Sequence, residues 1–142
     1  MGHINYFQEQ TDFELNEATN ITNWLESVAN TEGQTIEEIN YIFCNDEYLL
    51  SINKEYLDHD YYTDIITFDS RDDKNEDIEA DIFVSIERVK DNASTLNIPF
   101  ELELRRVMVH GLLHLLGYHD KSEQETSEMR EKEEAYLSLQ KF

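Results

Sequence analysis

The segment that most constrains the fold is residues 100–116, FELELRRVMVHGLLHLL, which are apolar on nearly every side when wound as a helix. Pro99 stands where the first turn of a helix tolerates proline, and Gly117 stands where a helix commonly ends. A helix that is apolar all round is buried in the interior of a protein. The other elements must therefore pack around this helix, which we expect at the centre of the molecule.

The rest of the chain carries strand and helix patterns in mixed order. The predicted elements, in sequence, are strand 3–8, helix 14–30, strand 36–44, a helix beginning near Asp46, strands 64–68 and 80–86, and helices 87–97, 100–116 and 122–139. This order is not a strict strand–helix alternation, which favours an α+β fold. We expect residues 1–142 to form a single domain, a small, mostly four-stranded sheet packed with about five helices, with a metal site at the end of the central helix.

Acidic residues dominate the composition, with 32 acidic and 11 basic side chains and a formal net charge of −21. This balance argues against a broad basic face that coats nucleic acid. The acid-rich residues 69–81 are interpreted as a solvated hairpin tip. A single cysteine excludes an internal disulfide, no apolar run approaches the roughly 18 residues of a membrane span, and no signal peptide is visible. A cytoplasmic protein without a membrane partner is therefore expected.

Two histidines in the central helix, His110 and His114, have the i, i+4 spacing with which one helix face chelates a metal ion. Gly117 can reverse the chain after the helix, so that His119 or Asp120 returns to the same point. Three ligands leave open coordination positions, as in catalytic sites, and nitrogen-rich ligation favours zinc. A zinc protease would carry a glutamate directly after the first histidine, where this chain has Gly111, so proteolysis is not expected.

Residues 110–118, HGLLHLLGY, resemble the signature of the YbeY-like rRNA maturation factors. Residues 53–68 are similar to that family's segment N-x-x-Y … D-x-x-T-D-[VI]-x-[ST]-F, and Asp81-Ile82 and Met129 also fall where the family has these residues. The family's third metal ligand is a histidine ten residues after the first, a position that Asp120 occupies here. By this register Asp120 is the third ligand, with His119 as the alternative. The family's arginine after the tyrosine is Leu57, for which His59 is a candidate replacement.

The resemblance implies a metal-dependent, single-strand-specific endoribonuclease that acts in rRNA maturation, at the 16S rRNA 3′ end, and in ribosome quality control. It implies one zinc ion per chain, bound by His110, His114 and Asp120, and single-stranded RNA and the ribosome or its proteins as partners. The alternative is a ribosome-associated assembly factor with a structural metal and little nuclease activity. The acidic composition favours this alternative, because recruitment to RNA would then need a protein partner.

Several other side chains have both a functional and an ordinary interpretation. Arg106, one turn before His110, is a candidate phosphate clamp or the partner of Glu101 or Glu103 in an ion pair. Three aspartates near strand starts are candidates for orienting the histidines or for capping turns, namely Asp60, Asp64 and Asp81. Three aromatic residues could stack on unpaired bases or fill the core, namely Tyr61, Tyr62 and Phe68.

Overall fold

Nine elements follow one another in the predicted order within residues 2–140, the residues that the computed structural model describes. They are β1 (His3–Glu9), α1 (Ala18–Thr31), β2 (Ile36–Cys44), α2 (Asp46–Leu57), β3 (Ile65–Asp69), β4 (Ile78–Ser85), α3 (Ile86–Leu96), α4 (Phe100–Leu115) and α5 (Glu123–Leu137). The predicted α+β class, with one four-stranded sheet and five helices, is confirmed. None of the helices in this part of the chain has the length and apolar character needed to cross a membrane.

Two elements begin two or more residues away from their predicted starts. Helix α1 begins at Ala18 rather than at residue 14, because Glu17 adopts a left-handed backbone conformation with φ of 64° that no helix continues through. Strand β4 begins two residues earlier than predicted, because Ile78 pairs with Ile36 of β2 and its amide donates to the carbonyl of Thr35. Asp81 therefore lies inside the strand and not at its start.

The sheet has the strand order β1-β2-β4-β3. Strands β1, β2 and β4 are parallel, and β3 returns antiparallel to β4 as one arm of a hairpin. The register pairs Ile65 with Val84 at one end of this hairpin and Asp69 with Ala80 at the other. Strand β3 is thus an edge strand, and its outer side is not paired within the sheet.

Helix α4 occupies the predicted central position, since it contacts α1, α3, α5, β3 and β4. Its Met108, Leu112 and Leu113 are fully buried. Gly111 allows this helix to approach the sheet closely, because a Cβ there would stand 2.8 Å from Cδ1 of Ile65 and 3.3 Å from Ile82. Packing against the strands therefore accounts for this glycine. Helix α2 covers the other face, where Leu49 and Ile52 join a smaller core cluster.

The hairpin tip between β3 and β4 is exposed over residues 72–77, as predicted, and Arg71 anchors its base. The Arg71 side chain is only 1% exposed and forms a salt bridge of 2.8 Å with Asp69. It also donates to the carbonyl of Leu115, at 2.7 Å, and to the side chain of Gln34, at 3.2 Å. The hairpin is therefore fixed to the C-terminal end of α4, next to His114.

Candidate metal centre

Helix α4 holds His110 and His114 one turn apart, with their Nε2 atoms 3.0 Å from each other. The Oδ2 atom of Asp120 lies 3.4 Å from Nε2 of His110 and 3.5 Å from Nε2 of His114. The potential ligand atoms of these three residues all lie within 4.8 Å of one another. Within residues 2–140 this is the one group of three such side chains close enough to hold a metal ion, and His119 is not part of it.

Asp120 reaches the histidines through a glycine turn at the end of α4. Gly117 has φ of 108°, a conformation that favours glycine because it has no Cβ. The amide of Tyr118 donates to the carbonyl of Leu113, which closes the last helical turn around this glycine. The chain thereby reverses its direction, as its sequence predicts, and places Asp120 over the histidine pair.

The Nδ1 atoms of both histidines are occupied by acceptors. Nδ1 of His110 lies 2.7 Å from Oε2 of Glu133, and Nδ1 of His114 lies 3.1 Å from the carbonyl oxygen of Tyr118. A carbonyl and a carboxylate oxygen can only accept, so each imidazole carries a proton on Nδ1. In the neutral imidazoles both Nε2 lone pairs therefore point at each other and at the carboxylate of Asp120. Three converging acceptors without a donor between them fit a bound cation.

The pKa values of the two histidines move in opposite directions. Burial lowers the pKa of His110, but the hydrogen bond and the charge of Glu133 outweigh burial and leave the pKa above its usual value. Burial, and then the nearby His110, lower the pKa of His114. Protons therefore compete with a metal ion more strongly at His110 than at His114.

Glu133 is the residue of this site that the sequence reasoning missed. It is only 4% exposed, and it shares the buried face of the otherwise polar α5 with Met129 and Tyr136. A signal was present in the sequence, because residues 129, 133 and 136 have i, i+4, i+7 spacing and a glutamate on such an apolar stripe needs a partner. The partner, His110, lies 23 positions away and is identified only by the packing of α5 on α4.

The turn that carries Asp120 is held by Glu32, at the end of α1. The hydroxyl of Tyr118 donates to Oε1 of Glu32 at 2.7 Å, and Tyr136 and Lys132 bond to Oε2. Burial raises the pKa of Glu32, but the donors Tyr136, Tyr118 and Lys132 outweigh burial and lower it. Tyr118 is thus held at two places, at its backbone carbonyl by His114 and at its side-chain hydroxyl by Glu32.

Two cavities adjoin the metal centre and share three lining residues, namely its candidate ligands His110 and Asp120 together with Asp64. The helix-side cavity, of about 390 Å³, lies between α3, α4 and α5 and is lined among others by Asn92, Arg106 and Glu133. The strand-side cavity, of about 620 Å³, lies along β3 and is lined among others by Leu57, His59 and Tyr61. The centre therefore lies where two cavities meet.

The aspartates proposed to orient the histidines have different surroundings. Asp64 lines both cavities, and burial raises its pKa against the lowering effect of His110. Asp60 is exposed and pairs with Lys54 at 3.4 Å. The carboxylate of Asp81 accepts a hydrogen bond from the side chain of Asn40, its partner on the neighbouring strand β2. Among the three, only Asp64 lies beside the metal centre.

Arg106 lines the helix-side cavity, but acids surround its guanidinium group. It lies 2.7 Å from Glu134, 3.3 Å from Glu103 and 3.5 Å from Glu133, and only 15% of its side chain is exposed. The ion pair with Glu103 that the sequence offered as the alternative is present. His59 lines the strand-side cavity, as does Tyr61, whereas Tyr62 lies outside both cavities and donates to Glu47.

Comparison with known proteins gives matches over nearly the whole chain. A family model described as "Endoribonuclease YbeY" matches residues 3–141. Proteins named Endoribonuclease YbeY from Cytophaga hutchinsonii and Flavobacterium psychrophilum are 54% and 50% identical to this chain. These alignments cover 98% and 94% of this chain and 96% and 94% of the two relatives. The solution structure of TM1509 from Thermotoga maritima superposes with a TM-score of 0.68 at 27% identity, covering 96% of this chain and 87% of the other.

Proposed function

The chain belongs to the endoribonuclease YbeY family, a family of hydrolases that act on RNA, and from this premise we propose that it is a zinc-dependent endoribonuclease specific for single strands. We further propose that it acts in the cytoplasm on the 3′ end of 16S rRNA and in ribosome quality control, in association with the ribosome. The observation that carries the metal dependence is the convergence of the two Nε2 atoms and the Asp120 carboxylate, with both Nδ1 protons held elsewhere.

Zinc is the proposed ion because two imidazole nitrogens and one carboxylate oxygen form the three-ligand set typical of catalytic zinc sites. Lewis acidity is what such an ion supplies when bound, and it favours attack of water on a phosphodiester. Glu133 and the carbonyl of Tyr118 keep the histidine protons on Nδ1 and orient the two rings. Asp64, the other carboxylate that faces both cavities, is the residue proposed to accept the proton of the attacking water.

The position of the centre between two cavities supports cleavage inside an RNA chain. A strand that crosses the centre can extend into the helix-side cavity on one side and the strand-side cavity on the other. A site for chain ends would need a closed wall on one side. A single strand follows such a path more easily than a rigid duplex does, which supports the proposed single-strand specificity.

The alternative, an assembly factor with a structural metal, is favoured by one observation. The net charge is −21, and Arg106, proposed as a phosphate clamp, is already surrounded by three carboxylates. A protein with few available cations binds free RNA weakly, so a ribosomal partner would have to bring it to its target.

A circular, single-stranded RNA distinguishes these functions, because only internal cleavage converts it to a linear molecule. We expect the zinc-loaded protein to linearise it, and chelator or His114→Ala to abolish this activity together with the bound zinc. His119→Ala is the matched control, since this neighbouring histidine lies outside the ligand group. A zinc-loaded protein that leaves circular and linear single strands intact but binds ribosomal particles would establish the assembly-factor function instead.

A further inference from the structure

Two exposed aromatic rings line the strand-side cavity, beside the candidate metal centre. The rings of His59 and Tyr61 stack with centroids 5.1 Å apart and an interplanar angle of 22°. The Tyr61 hydroxyl and Nδ1 of His59 are 3.0 Å apart, which holds the two rings together. Tyr61 remains 56% exposed. We name this pair the aromatic platform.

The platform belongs to a segment with an unusual amount of exposed apolar surface. Of the eight large hydrophobic side chains that are exposed within residues 2–140, three lie between positions 56 and 61, namely Tyr56, Leu57 and Tyr61. The next one, Tyr62, lies outside both cavities, with the guanidinium group of Arg88 over its ring. Folding does not require this exposure, and apolar surface gathered at one place on a soluble domain commonly marks a binding site.

The backbone under the platform is anchored to the end of α2. Asn53, which is 1% exposed, donates from Nδ2 to the carbonyl of Tyr61 at 2.9 Å. The amide of His59 donates to the carbonyl of Asn53 at 3.1 Å. The rings are therefore held in place before any ligand binds, which lowers the entropic cost of binding.

The charges of the strand-side cavity do not favour binding through phosphates. In the part of the chain that the structure describes, Lys74 is the one cation that lines this cavity, and it pairs with Asp69 at 2.6 Å. Leu57, which is 40% exposed, adds an apolar side chain to the lining of this cavity. The strand-side cavity therefore offers aromatic ring faces to a ligand, and none of the residues that line it is an arginine.

Building on the proposed function, we propose that the aromatic platform stacks against one unpaired nucleobase of the RNA, on the strand side of the scissile phosphate. A base inside a duplex is covered on both faces by its neighbours, whereas an unpaired base can present a whole face to an aromatic ring. The platform thus selects single strands and supplies affinity that an acidic protein cannot draw from phosphate contacts.

The test compares three variants of the full-length, zinc-loaded protein in the cleavage of a short single-stranded RNA. Stacking contributes about five- to a hundred-fold in affinity per base, so Tyr61→Ala is expected to raise KM by this factor. Tyr61→Phe keeps the ring but loses the contact with His59, so it should raise KM much less than Tyr61→Ala does. Tyr62→Ala removes an adjacent, similarly exposed ring that lies outside both cavities and should leave KM unchanged. Zinc content should be equal in all variants.

A second substrate series shows whether Tyr61 acts on a base. Each RNA of this series carries one abasic nucleotide, at a different position along the strand. At one position the missing base should lower the affinity of the wild type and leave the affinity of Tyr61→Ala unchanged. The dependence of log affinity on log salt should be shallow, with a slope on the order of two to three.

The outcomes separate this inference from the function on which it rests. If the wild type cleaves RNA and Tyr61→Ala matches it within two-fold, the platform is refuted while the nuclease function stands. A salt slope near six would also overturn the platform, because it would require an extended basic surface. If the zinc-loaded wild type neither binds nor cleaves RNA, the proposed function itself is wrong.

Discussion

Replacing Glu133 with glutamine should weaken zinc binding while leaving all three ligands in place. The carboxylate of Glu133 lies 2.7 Å from Nδ1 of His110, on the side of the ring opposite the ligand atom. Its negative charge makes the imidazole a stronger electron donor and fixes the ring's orientation. Glutamine has nearly the same shape but no charge, and its amide can turn either an oxygen or an NH₂ group toward the ring.

The expected loss is about ten- to a hundred-fold in zinc affinity, the range found when such a carboxylate partner is removed. This corresponds to roughly 1.4–2.7 kcal/mol. The substitution leaves no cation without a counter-charge, because Arg106 keeps its contacts with Glu103 and Glu134. Unfolding of the structure is therefore not expected to account for the loss.

Competition with a chromophoric zinc chelator measures this affinity, and Glu134→Gln is the matched control. Glu134 is the next residue, contacts Arg106 at 2.7 Å, is 59% exposed and has no contact with His110. We expect its replacement to change zinc affinity less than two-fold. Equal zinc affinities for the wild type and Glu133→Gln, in variants with the same thermal midpoint, would refute the argument that Glu133 supports the metal centre.

Three further predictions concern the third ligand and the hairpin anchor. Asp120→Ala should lower the zinc content, measured by elemental analysis, to well below one equivalent. His119→Ala should retain the zinc. The reverse result would show that the chain turns back one residue earlier. Arg71→Ala should reduce the free energy of unfolding by on the order of 3 kcal/mol in urea titrations, because it breaks a buried ion pair and leaves the carbonyl of Leu115 without its donor. An unchanged unfolding midpoint would contradict this. Burial raises the pKa of Asp69, but hydrogen bonds from Arg71 and Lys74 outweigh it and hold the pKa well below its usual value. A lowered pKa contributes stability above the unfolded-state value of about 3.9 that is lost as the pH falls. Asp69→Asn should therefore lose less stability than the wild type between pH 5 and pH 2, and parallel curves would exclude this contribution.

The sequence by itself determined those features that depend on neighbours along the chain. The all-round apolar pattern of residues 100–116 predicted the buried central helix, and the i, i+4 spacing predicted that His110 and His114 share one face. The glycine after that helix predicted a reversal that brings His119 or Asp120 back to the histidines, and the structure places Asp120 there. Each of these follows from helix geometry and backbone conformation over a few residues, which sequence fixes directly.

The β-strand boundaries and the strand order were decided by pairing between distant segments. Nothing near position 78 shows that Ile78 will pair with Ile36, and this pairing put Asp81 inside β4, away from the metal centre. The start of α1 likewise depended on one left-handed residue, Glu17, which the local helical pattern does not indicate. These boundaries depend on strand pairing and tertiary packing, and local propensity does not determine them.

Tertiary structure alone decided which side chains surround the metal ligands. Glu133 reaches His110 because α5 packs on α4, Glu32 holds the turn before Asp120 from the end of α1, and Arg71 joins the hairpin to α4. Each buried charge needs a partner, so the sequence can show that a partner must exist. Which residue supplies it depends on how helices and strands far apart in the chain come together.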